Sequence, residues 1–432
     1  MGGELKRIPL GDLCDPARGI TYGIVKVGDF VPGGVPVIRG GDIRDGKIVF
    51  DDHKRVTEEV SNQFERTILR GGEIIINLIA EPGHTAIVPA SLVGANVSRD
   101  VGVIALGEGV DHRYVDYCLK SPDAVRWLTS RLQGSVTQKI NLGTLRELPI
   151  PLPAWGVQRA IARILGALDD KIELNRKMNA TLEAMARALF KSWFVDFDPV
   201  HAKADGRAPS GMDAETGKLF PSEFVESELG PIPKGWTVEP LDTIADFRNG
   251  LALQKFRPEE GEPRLPVVKI AQLRTGQPDS GEWSRADIAP DCILENGDIV
   301  FSWSGSLTVV VWCGGRAALN QHLFKVTSTA YPKWFYLQWL LEHLPEFQRI
   351  AGDKATTMGH IQRHHLTAAN CVVPPGDLID ATDRLLAPML EQRVALDLES
   401  RHLARVRDEL LPRLLSGELA VNDAKHQAGA VA

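Results

Sequence analysis

Cysteine is scarce in this chain, and its spacing argues against two common kinds of stabilising site. The five cysteines among 432 residues lie far apart and contain no CxxC pair, so neither a disulfide framework nor a zinc site is indicated. Long apolar runs are also missing, since the longest are strand-sized. The first ten residues show no basic stretch followed by an apolar one, which a secretory signal would need. We therefore expect reduced thiols, no membrane span and a cytoplasmic location.

The motifs that carry common enzyme chemistry are absent as well. The sequence has no GxxxxGK[ST] phosphate loop, no HExxH, no GxSxG elbow and no glycine-rich dinucleotide turn. It also lacks the Asn-Pro-Pro-aromatic tetrapeptide that is expected of an amino-methyltransferase. Pro278, Asp279 and Glu282 resemble a nuclease carboxylate set, but the lysine that would orient a metal is missing. These absences favour a binding protein and scaffold whose chemistry is performed elsewhere.

The net charge of -7 argues mildly against a protein that coats nucleic acid by itself. Local basic patches can still carry phosphate contacts, so sequence-specific DNA binding agrees with the composition. Two other classes stay open at this point. One is a DNA methyltransferase or nuclease with unrecognised motifs, and the other is a two-lobed scaffold with no DNA role.

An internal repeat organises the chain. Segments of one half are echoed in the same order in the other half: IPLGDL (8–13) by EPLDTI (239–244), VPVIRGGDI (35–43) by LPVVKIAQL (265–273), LRGGEIIINL (69–78) by LENGDIVFSW (294–303), RYVDYCLKSPDAVRWL (113–128) by KWFYLQWLLEHLPEFQ (333–348), and KINLGTLRELPIPLP (139–153) by HIQRHHLTAANCVVP (360–374). Each repeat predicts a lobe of roughly 150 residues with short strands and one helix, near 114–132 or 333–350. This pattern indicates an α+β fold.

Each half ends in a long helical pattern with the 4-3 apolar spacing of a coiled-coil seam. The two seams consist of Ile161, Leu165, Leu168, Ile172, Asn175, Asn179, Leu182, Ala186 and Leu189, and of Leu386, Met389, Arg393, Leu396, Ser400, Leu403, Arg407 and Leu410. We expect the two helices to pair, with Asn175 and Asn179 fixing the register at some cost in stability. The alternative is that each helix packs separately on its own lobe.

The first helical pattern ends in LFKSWFVDFDPV (189–200), where four aromatic residues precede Pro199. Exposed aromatics of this number would be an aggregation hazard. We therefore expect the second lobe, the returning helix or another subunit to cover Phe190, Trp193, Phe194 and Phe197.

These segments closely resemble those of the specificity subunits of type I restriction-modification systems. The resemblance covers nearly the whole chain and is carried by QRAIARILGALDDKIELNRKMNATLEAMARALFKSWFVDFDPV (158–200), LGPIPKGW (229–236) and RDELLPRLLSGEL (407–419). Two departures concern the start of the helices. LPAWGVQRAIA (152–162) lacks the acidic residue that often precedes the Gln-Arg pair, and PGDLIDATDRLL (375–386) has no such pair. No role of Gln158 and Arg159 therefore carries over to the second copy.

The resemblance implies two tandem α/β target-recognition domains separated by two long antiparallel coiled-coil helices, with a pseudo-twofold internal repeat. The predicted boundaries are 1–153 for the first recognition domain, 154–197 for the first spacer helix, 198–236 for a linker, 237–375 for the second recognition domain, 376–420 for the second spacer helix and 421–432 for a flexible tail. The stretch from 158 to 194 would be about 55 Å long at ~1.5 Å per residue. At ~3.4 Å per base pair this length spans roughly 16 base pairs, so the helices could set an unread gap.

The resemblance also implies a function and partners. Each domain would read one half of a bipartite double-stranded DNA site. Two modification subunits would carry S-adenosylmethionine and methylate adenine, and restriction subunits would hydrolyse ATP with Mg and cut DNA. No catalytic residue, metal or cofactor is expected in this chain. Helix pairing and subunit docking are expected at Leu165, Leu168, Ile172, Leu182, Leu189, Trp193, Phe194, Met389, Leu396, Leu403 and Leu410.

Contacts with DNA are expected in loops beside strand ends, where Arg and Gln can make bidentate contacts to bases. The candidates in the first lobe are Arg39, Arg44, Lys47, Arg99, Thr137, Gln138 and Lys139, and those in the second are Lys269, Arg274, Arg316, Asn320, Gln321, His322, Thr357, His360 and Arg363. Each could instead be a solvated surface charge or a turn cap. For His360, His364 and His365 three interpretations stay open: metal binding, an ordinary core or surface histidine, and polar contact with nucleic acid.

Overall fold

The computed structural model describes residues 6–50, 52, 54–134, 137–353 and 359–429. It divides into two compact units, Met1–Glu173 with Arg401–Ala432, and Leu174–Ser400. Each unit contains one lobe built of strands and helices together with one part of each long helix. The predicted α+β class is confirmed. No helix in the described ranges combines the length and apolarity needed to cross a membrane.

The first lobe consists of short strands with a few helices packed against them. Its strands are Arg7–Pro9, Ile20–Tyr22, Val35–Ile38, Ile43–Arg44, Lys47–Ile48, Arg55–Val56, Ile74–Asn77, Thr85–Ile87, Asn96–Val97, Val101–Ile104 and Pro149–Pro151. Its helices are Glu58–Asn62, His112–Lys120, Pro122–Thr129 and Leu142–Glu147, with 3-10 turns at Leu10–Leu13, Gly40–Asp42, Glu65–Thr67 and Ala90–Leu92. The single helix predicted near 114–132 is in fact two helices, because Ser121 caps the second one and Pro122 begins it.

The second unit holds the second lobe and the segment that precedes it. Its strands are Phe224–Ser227, Gly230–Pro233, Thr237–Pro240, Asp246–Asn249, Arg264–Val268, Asp279–Arg285, Ile293–Leu294, Ile299–Ser302, Thr308–Val311, Ala317–Leu319, Leu323–Thr327 and Asn370–Val373. Its helices are Asp198–Ala204, Ala214–Leu219, Leu241–Ile244, Ile270–Thr275, Lys333–Asp353 and Arg363–Thr367, with 3-10 turns at Leu253–Lys255 and Pro290–Cys292.

The two lobes share one sheet topology, which confirms the internal repeat. An antiparallel sheet with the order Ile20–Tyr22, Val101–Ile104, Ile74–Asn77, Thr85–Ile87 in the first lobe corresponds to the order Asp246–Asn249, Leu323–Thr327, Ile299–Ser302, Thr308–Val311 in the second. A second sheet contains one parallel pair in each lobe, with Ile38 opposite Val97 and Val268 opposite Leu319. Equivalent positions can therefore be assigned from strand register.

An ion pair lies at the main sheet of each lobe, buried in the first lobe and half-buried in the second. In the first, Arg18 Nη1 lies 2.6 Å from Glu73 Oε1, and Glu73 also accepts the backbone N–H of Arg70 at 2.8 Å. Burial tends to raise the pKa of Glu73, but the hydrogen bonds from Arg18 and from backbone N–H groups outweigh it, so this pKa lies below its ordinary value. Asp298 occupies the matching place in the second lobe, 2.7 Å from Lys325 Nζ.

The first long helix, Trp155–Phe190, continues into a π-helical turn, Lys191–Val195, and the second long helix is Gly376–Leu415. In the first unit, Leu165, Leu168 and Ile172 belong to one buried cluster with Leu403 and Leu410. The same cluster includes residues of the first lobe. The predicted pairing of the two helices is confirmed, and the alternative that each packs separately is wrong, although the first lobe packs against the same cluster.

Polar contacts across the seam define the direction of the two helices. In the first unit, Asp169 Oδ1 accepts from Arg407 Nη1 at 2.6 Å. In the second unit, Asn175 contacts Glu399 at 2.7 Å, Asn179 contacts Asp397 at 2.8 Å, and Glu183 lies 3.8 Å from Arg393. Residue numbers rise along one helix as they fall along the other, so the pairing is antiparallel. The apolar seam of this unit includes buried Leu396 and half-buried Leu182, Leu189 and Met389.

The aromatic residues at the end of the first long helix are covered by the second lobe and by the segment that precedes it. Phe190, Trp193 and Phe194 are at most 2% exposed. Phe190 and Phe194 contact Trp334 and Phe335 of the helix Lys333–Asp353. Trp193 packs edge-on against Phe220, and Phe197 against Trp236. Of the three expected coverings, the second lobe, the returning helix and another subunit, the second lobe is the one that contacts Phe194. The burial of Trp193 and Phe194 leaves no surface of theirs for another subunit.

Two segments predicted to be a linker and a tail contain helices and strands. Residues 198–236, expected to be a linker, contain the helices Asp198–Ala204 and Ala214–Leu219 and a β-hairpin, Phe224–Ser227 with Gly230–Pro233. Phe220, Ile232 and Trp236 anchor this segment in the core of the unit. Residues expected to form a flexible tail contain the helix Val421–Gly429, in which Ala424 is fully buried.

Candidate nucleic-acid interface

A groove with a basic rim opens in the first lobe at the ends of several strands. It is lined by Ile24, Val25, Val27, Arg39, Lys54, Ile79, Ser98, Arg99 and Asp100. Arg39 directly follows the strand Val35–Ile38, and Arg99 lies between Asn96–Val97 and Val101–Ile104. Two of the residues predicted from the sequence, separated by 60 positions, are thus brought to one site.

Backbone hydrogen bonds fix the loops that carry these two arginines. The carboxylate of Asp100 accepts the backbone N–H of Gly40 at 2.9 Å and the hydroxyl of Ser98. The carboxylate of Asp42 accepts the backbone N–H of Arg39 at 2.8 Å. Both acids are therefore engaged by the loops. Within the described part of the chain, no ion pair holds the guanidinium of Arg39 or Arg99, and both side chains are exposed.

Residues 137–139 border the same groove. The backbone N–H of Ala80 donates to the carbonyl of Gln138 at 3.0 Å, and Ile79 forms an antiparallel bridge with Lys139. Thr137, Gln138 and Lys139 are all exposed. Because Ile79 also lines the groove, the backbone of residues 137–139 runs next to it.

Two predicted residues of the first lobe lie elsewhere. Arg44 and Lys47 belong to the small hairpin of Ile43–Arg44 with Lys47–Ile48. Arg44 Nε donates to the carbonyl of Gly41 at 2.7 Å, and Lys47 forms an ion pair with Glu173 of the first long helix. Lys47 therefore braces the lobe against the helix, and nothing places it in the groove.

The second lobe brings together five of its predicted residues at the equivalent place. Lys269 directly follows the strand Arg264–Val268, just as Arg39 directly follows Val35–Ile38. Residues 320–322 directly precede the strand Leu323–Thr327, just as residues 98–100 directly precede Val101–Ile104. The ring of His322 lies 5.9 Å from that of Trp303 and its Nδ1 is 3.3 Å from Ser304 Oγ. His360 forms a bridge with Ser304, as Lys139 does with Ile79.

The remaining predicted residues of the second lobe are dispersed. Arg274 is exposed near the end of the helix Ile270–Thr275. Arg316 pairs with Glu295 at 3.2 Å. It directly precedes the strand Ala317–Leu319, whereas Asn320 directly follows that strand. Arg363 donates to the carbonyl of Phe247 at 3.1 Å and to Asn249 Oδ1 at 2.9 Å, so it braces the main sheet. Thr357 lies outside the described residues.

His364 and His365 lie side by side. The rings of His364 and His365 are 4.0 Å apart, and Nδ1 of His365 accepts the backbone N–H of Gln362 at 2.9 Å. Among the residues that the structure describes, no cluster of three or more His, Cys, Asp or Glu side chains could hold a metal ion. All five cysteines are buried.

Sequence reasoning missed the residues that hold the two sites in shape. The carbonyl of Ile24 accepts the backbone N–H of Arg99, and that of Leu251 accepts the backbone N–H of Gln321. Asp100 lines the groove of the first lobe, and Trp303 lies beside His322 in the second. Gly23 and Gly250 lie against the parallel strand, where an added Cβ would come within 1.9 Å of Val97 O or 2.3 Å of Leu319 O. Gly23 directly precedes Ile24, and Gly250 directly precedes Leu251. A glycine at this matching position in both halves was the sequence signal that could have found them.

Comparison with known proteins identifies several relatives. Residues 4–184 match the family model described as the type I restriction modification DNA specificity domain. The chain is 25% identical over 438 residues to the MjaIX specificity subunit of Methanocaldococcus jannaschii, covering 97% of this chain and 94% of that one. It is 25% identical to the HindI specificity subunit of Haemophilus influenzae, covering 65% and 71%. The crystal structure of a type I restriction-modification S subunit from M. genitalium superposes with a TM-score of 0.55 over 95% of both chains at 14% identity, so the fold is shared.

Proposed function

We propose that this chain is a specificity subunit of a type I restriction-modification system and reads the DNA sequence for its complex. Each lobe would recognise one half of a bipartite site in double-stranded DNA. The observation that carries the proposal is that both lobes present a short turn at the same point of the same sheet topology, with different polar side chains on it. Two readers of this kind suit a site with two different halves.

The chemistry of the first groove supports DNA as the ligand. Arg39 and Arg99 are exposed cations without an ion-pair partner in the described ranges, and Lys54 lines the same groove. Phosphate groups attract such cations and give sequence-independent affinity, while Arg and Gln can read base edges in the major groove. A net charge of -7 is compatible with this, because the cations are gathered locally.

The two long helices suit the role of a spacer. A helix of 36 residues, Trp155–Phe190, is about 54 Å long at ~1.5 Å per residue. That length corresponds to roughly 16 base pairs at ~3.4 Å each. In the proposed complex the helix pair sets the number of unread base pairs between the two half-sites.

The helices also offer a surface for the modification subunits. Leu174, Met178 and Met185 are between 40% and 51% exposed on the first long helix, and their spacing places them near one face. Exposed apolar side chains grouped in this way are typical of protein-protein contacts. We propose that two modification subunits bind along the helix pair, and that restriction subunits join the complex through them.

Catalysis and cofactors belong to the partners in this proposal. S-adenosylmethionine would bind the modification subunits, and ATP with Mg would bind the restriction subunits. This chain would bind no cofactor and perform no chemistry, and it would work beside the chromosome in the cytoplasm. Its contribution is the choice of DNA sequence.

The test is to sequence the methylated bases of the native host with and without this gene. We expect site-specific adenine methylation at one split motif to vanish in the deletion strain and to return on complementation. A methylation pattern that does not change would favour a scaffold without a DNA role. Methyl transfer by the purified chain without any partner would show an enzyme and contradict the proposal.

A further inference from the structure

We infer that positions 99 and 321 are equivalent base-reading positions, with Arg99 specifying a guanine in one half-site and Gln321 an adenine in the other. Arg39 and Lys269 are equivalent contacts to phosphate. The inference rests on the proposed function, and it names the residues that make the two half-sites different.

Matching hydrogen bonds hold the two reading turns, residues 98–100 and 320–322. The backbone N–H of Arg99 donates to Ile24 O at 2.9 Å, and that of Gln321 donates to Leu251 O at 2.9 Å. One residue earlier, Ser98 N–H donates to Ile38 O at 2.9 Å and Asn320 N–H to Val268 O at 3.1 Å. The two backbones are thus built alike although their side chains differ.

The turns close onto the next strand in the same way. Val101 N–H donates to Ser98 O at 3.0 Å, and Leu323 N–H donates to Asn320 O at 3.0 Å. In each lobe a glycine, Gly23 or Gly250, lets the preceding strand approach the backbone of the parallel strand beside the turn. A side chain placed on such a rigid frame meets its target in a fixed geometry, which base reading requires.

The central side chains of the two turns, Arg99 and Gln321, are of types that read purines. An arginine makes two hydrogen bonds to O6 and N7 of guanine, and a glutamine makes two to N6 and N7 of adenine. Arg99 is exposed, and Gln321 is half-buried with its Nε2 3.3 Å from His322 Nε2. The change from Arg to Gln at one structural position therefore changes the expected base from G to A.

Positions 39 and 269 behave differently, because both carry a cation. Each directly follows a strand of the parallel pair, and each backbone N–H is held by a side chain three residues later: Asp42 at 2.8 Å and Gln272 at 3.2 Å. Lys269 also pairs with Glu282 at the surface, a contact weak enough to be exchanged for a phosphate. Because both lobes carry a cation at this position, we expect the cation to contact the phosphate backbone, which is the same in every DNA sequence.

The variants R99Q and Q321R test this assignment within the complex of this chain with its modification subunits. DNA bound from a random-sequence library is sequenced, so that base preferences are read even if affinity falls. We expect R99Q to change the preference at one base pair of one half-site from G to A, by roughly 5- to 150-fold. Q321R should change one base pair of the other half-site from A to G, and neither variant should alter the gap.

The matched controls are R39Q and K269Q. We expect both to weaken binding to all sequences alike and to lower the slope of log affinity against log salt by about one. Unchanged preferences in folded R99Q and Q321R, or a base preference altered by R39Q or K269Q, would overturn the inference while leaving the proposed function standing. A wild-type complex that selects no motif at all would overturn both.

Discussion

Asn175 donates a hydrogen bond from Nδ2 to the carboxylate of Glu399 at 2.7 Å, across the antiparallel seam of the second unit. Asn179 makes the same kind of contact with Asp397 at 2.8 Å. The side-chain oxygens of both asparagines are buried, and among the described residues neither has a hydrogen-bond partner. An incompletely satisfied amide in an apolar seam costs stability and is tolerated where it fixes the alignment of two helices.

Replacing Asn175 and Asn179 together with leucine should therefore raise the free energy of unfolding by about 1 kcal/mol. Glu399 and Asp397 keep access to water because they are only half-buried. Urea unfolding of the double variant measures the change. The control is Leu403→Ala in the same helix pair, which should lower the free energy by about 2–5 kcal/mol. A double variant less stable than the wild type would contradict this view of the seam.

The aromatic cluster at the end of the first long helix should be essential to the second unit. Phe194 is fully buried against Trp236, Trp334 and Phe335, so Phe194→Ala should lower the free energy of unfolding by about 3–5 kcal/mol. Met185→Ala is the control, because this side chain is half exposed on the same helix and its loss should cost within ~0.5 kcal/mol. Chemical denaturation compares the two. Equal stability of both variants would be incompatible with a packed cluster.

Gly250 should be required for the second reading turn. An added Cβ would lie 2.3 Å from Leu319 O and 2.4 Å from Asn320 O, so Gly250→Ala must push the turn out of place. We expect affinity for the second half-site to fall about tenfold or more, which is a loss of about 1.4 kcal/mol, while the first half-site is still read. Gly352→Ala is the control, since nothing lies within 4 Å of its added Cβ. Unaltered DNA selection by Gly250→Ala would count against the site.

The ion pair of Arg18 and Glu73 should make stability depend on pH. Because the pKa of Glu73 is lowered on folding from its ordinary value of 4.5, its contribution is complete above that value. It is lost as the pH falls through the folded-state pKa. Glu73→Gln should therefore cost about 3 kcal/mol at pH 7, with a smaller difference from the wild type below pH 4.5.

Thermal unfolding of both proteins across this pH range provides the measurement. Asp123→Asn is the control, because its ion pair with Arg126 is exposed on both sides and should contribute little. A difference between Glu73→Gln and the wild type that grows on acidification would reverse the expected sign.

The sequence was sufficient for the repeat, the α+β class and the helix pair. Recurring strand segments such as EIIINL and DIVFSW mark equivalent strands, and the 4-3 spacing marks the seam. The sequence was insufficient to predict the helices and strands of residues 198–236 or the last helix, because the Pro, Gly and Ala content of these segments resembles that of a linker or tail. Only packing reveals their order, with Phe220, Trp236 and Ala424 buried.

Contacts with residues distant in the sequence decide which of the predicted side chains are available to DNA. Lys47 is engaged by Glu173, Arg316 by Glu295 and Arg363 by the main sheet. A charge engaged in this way looks the same in a sequence as one that is available to DNA. Arg99 and Gln321 were both identified as candidates, but their equivalence follows from backbone hydrogen bonds that leave no common sequence signature.

We propose that the two lobes read two half-sites whose separation is set by the helix pair. The most direct measurement is the methylated motif of a strain whose chain carries four extra residues after Ala180 and four more in the facing part of the second long helix. One added turn lengthens the pair by about 6 Å, or roughly two base pairs. We predict a split motif with both half-sites unchanged and a gap that is longer by about this amount. An unchanged gap, or a continuous motif in the wild type, would contradict the account.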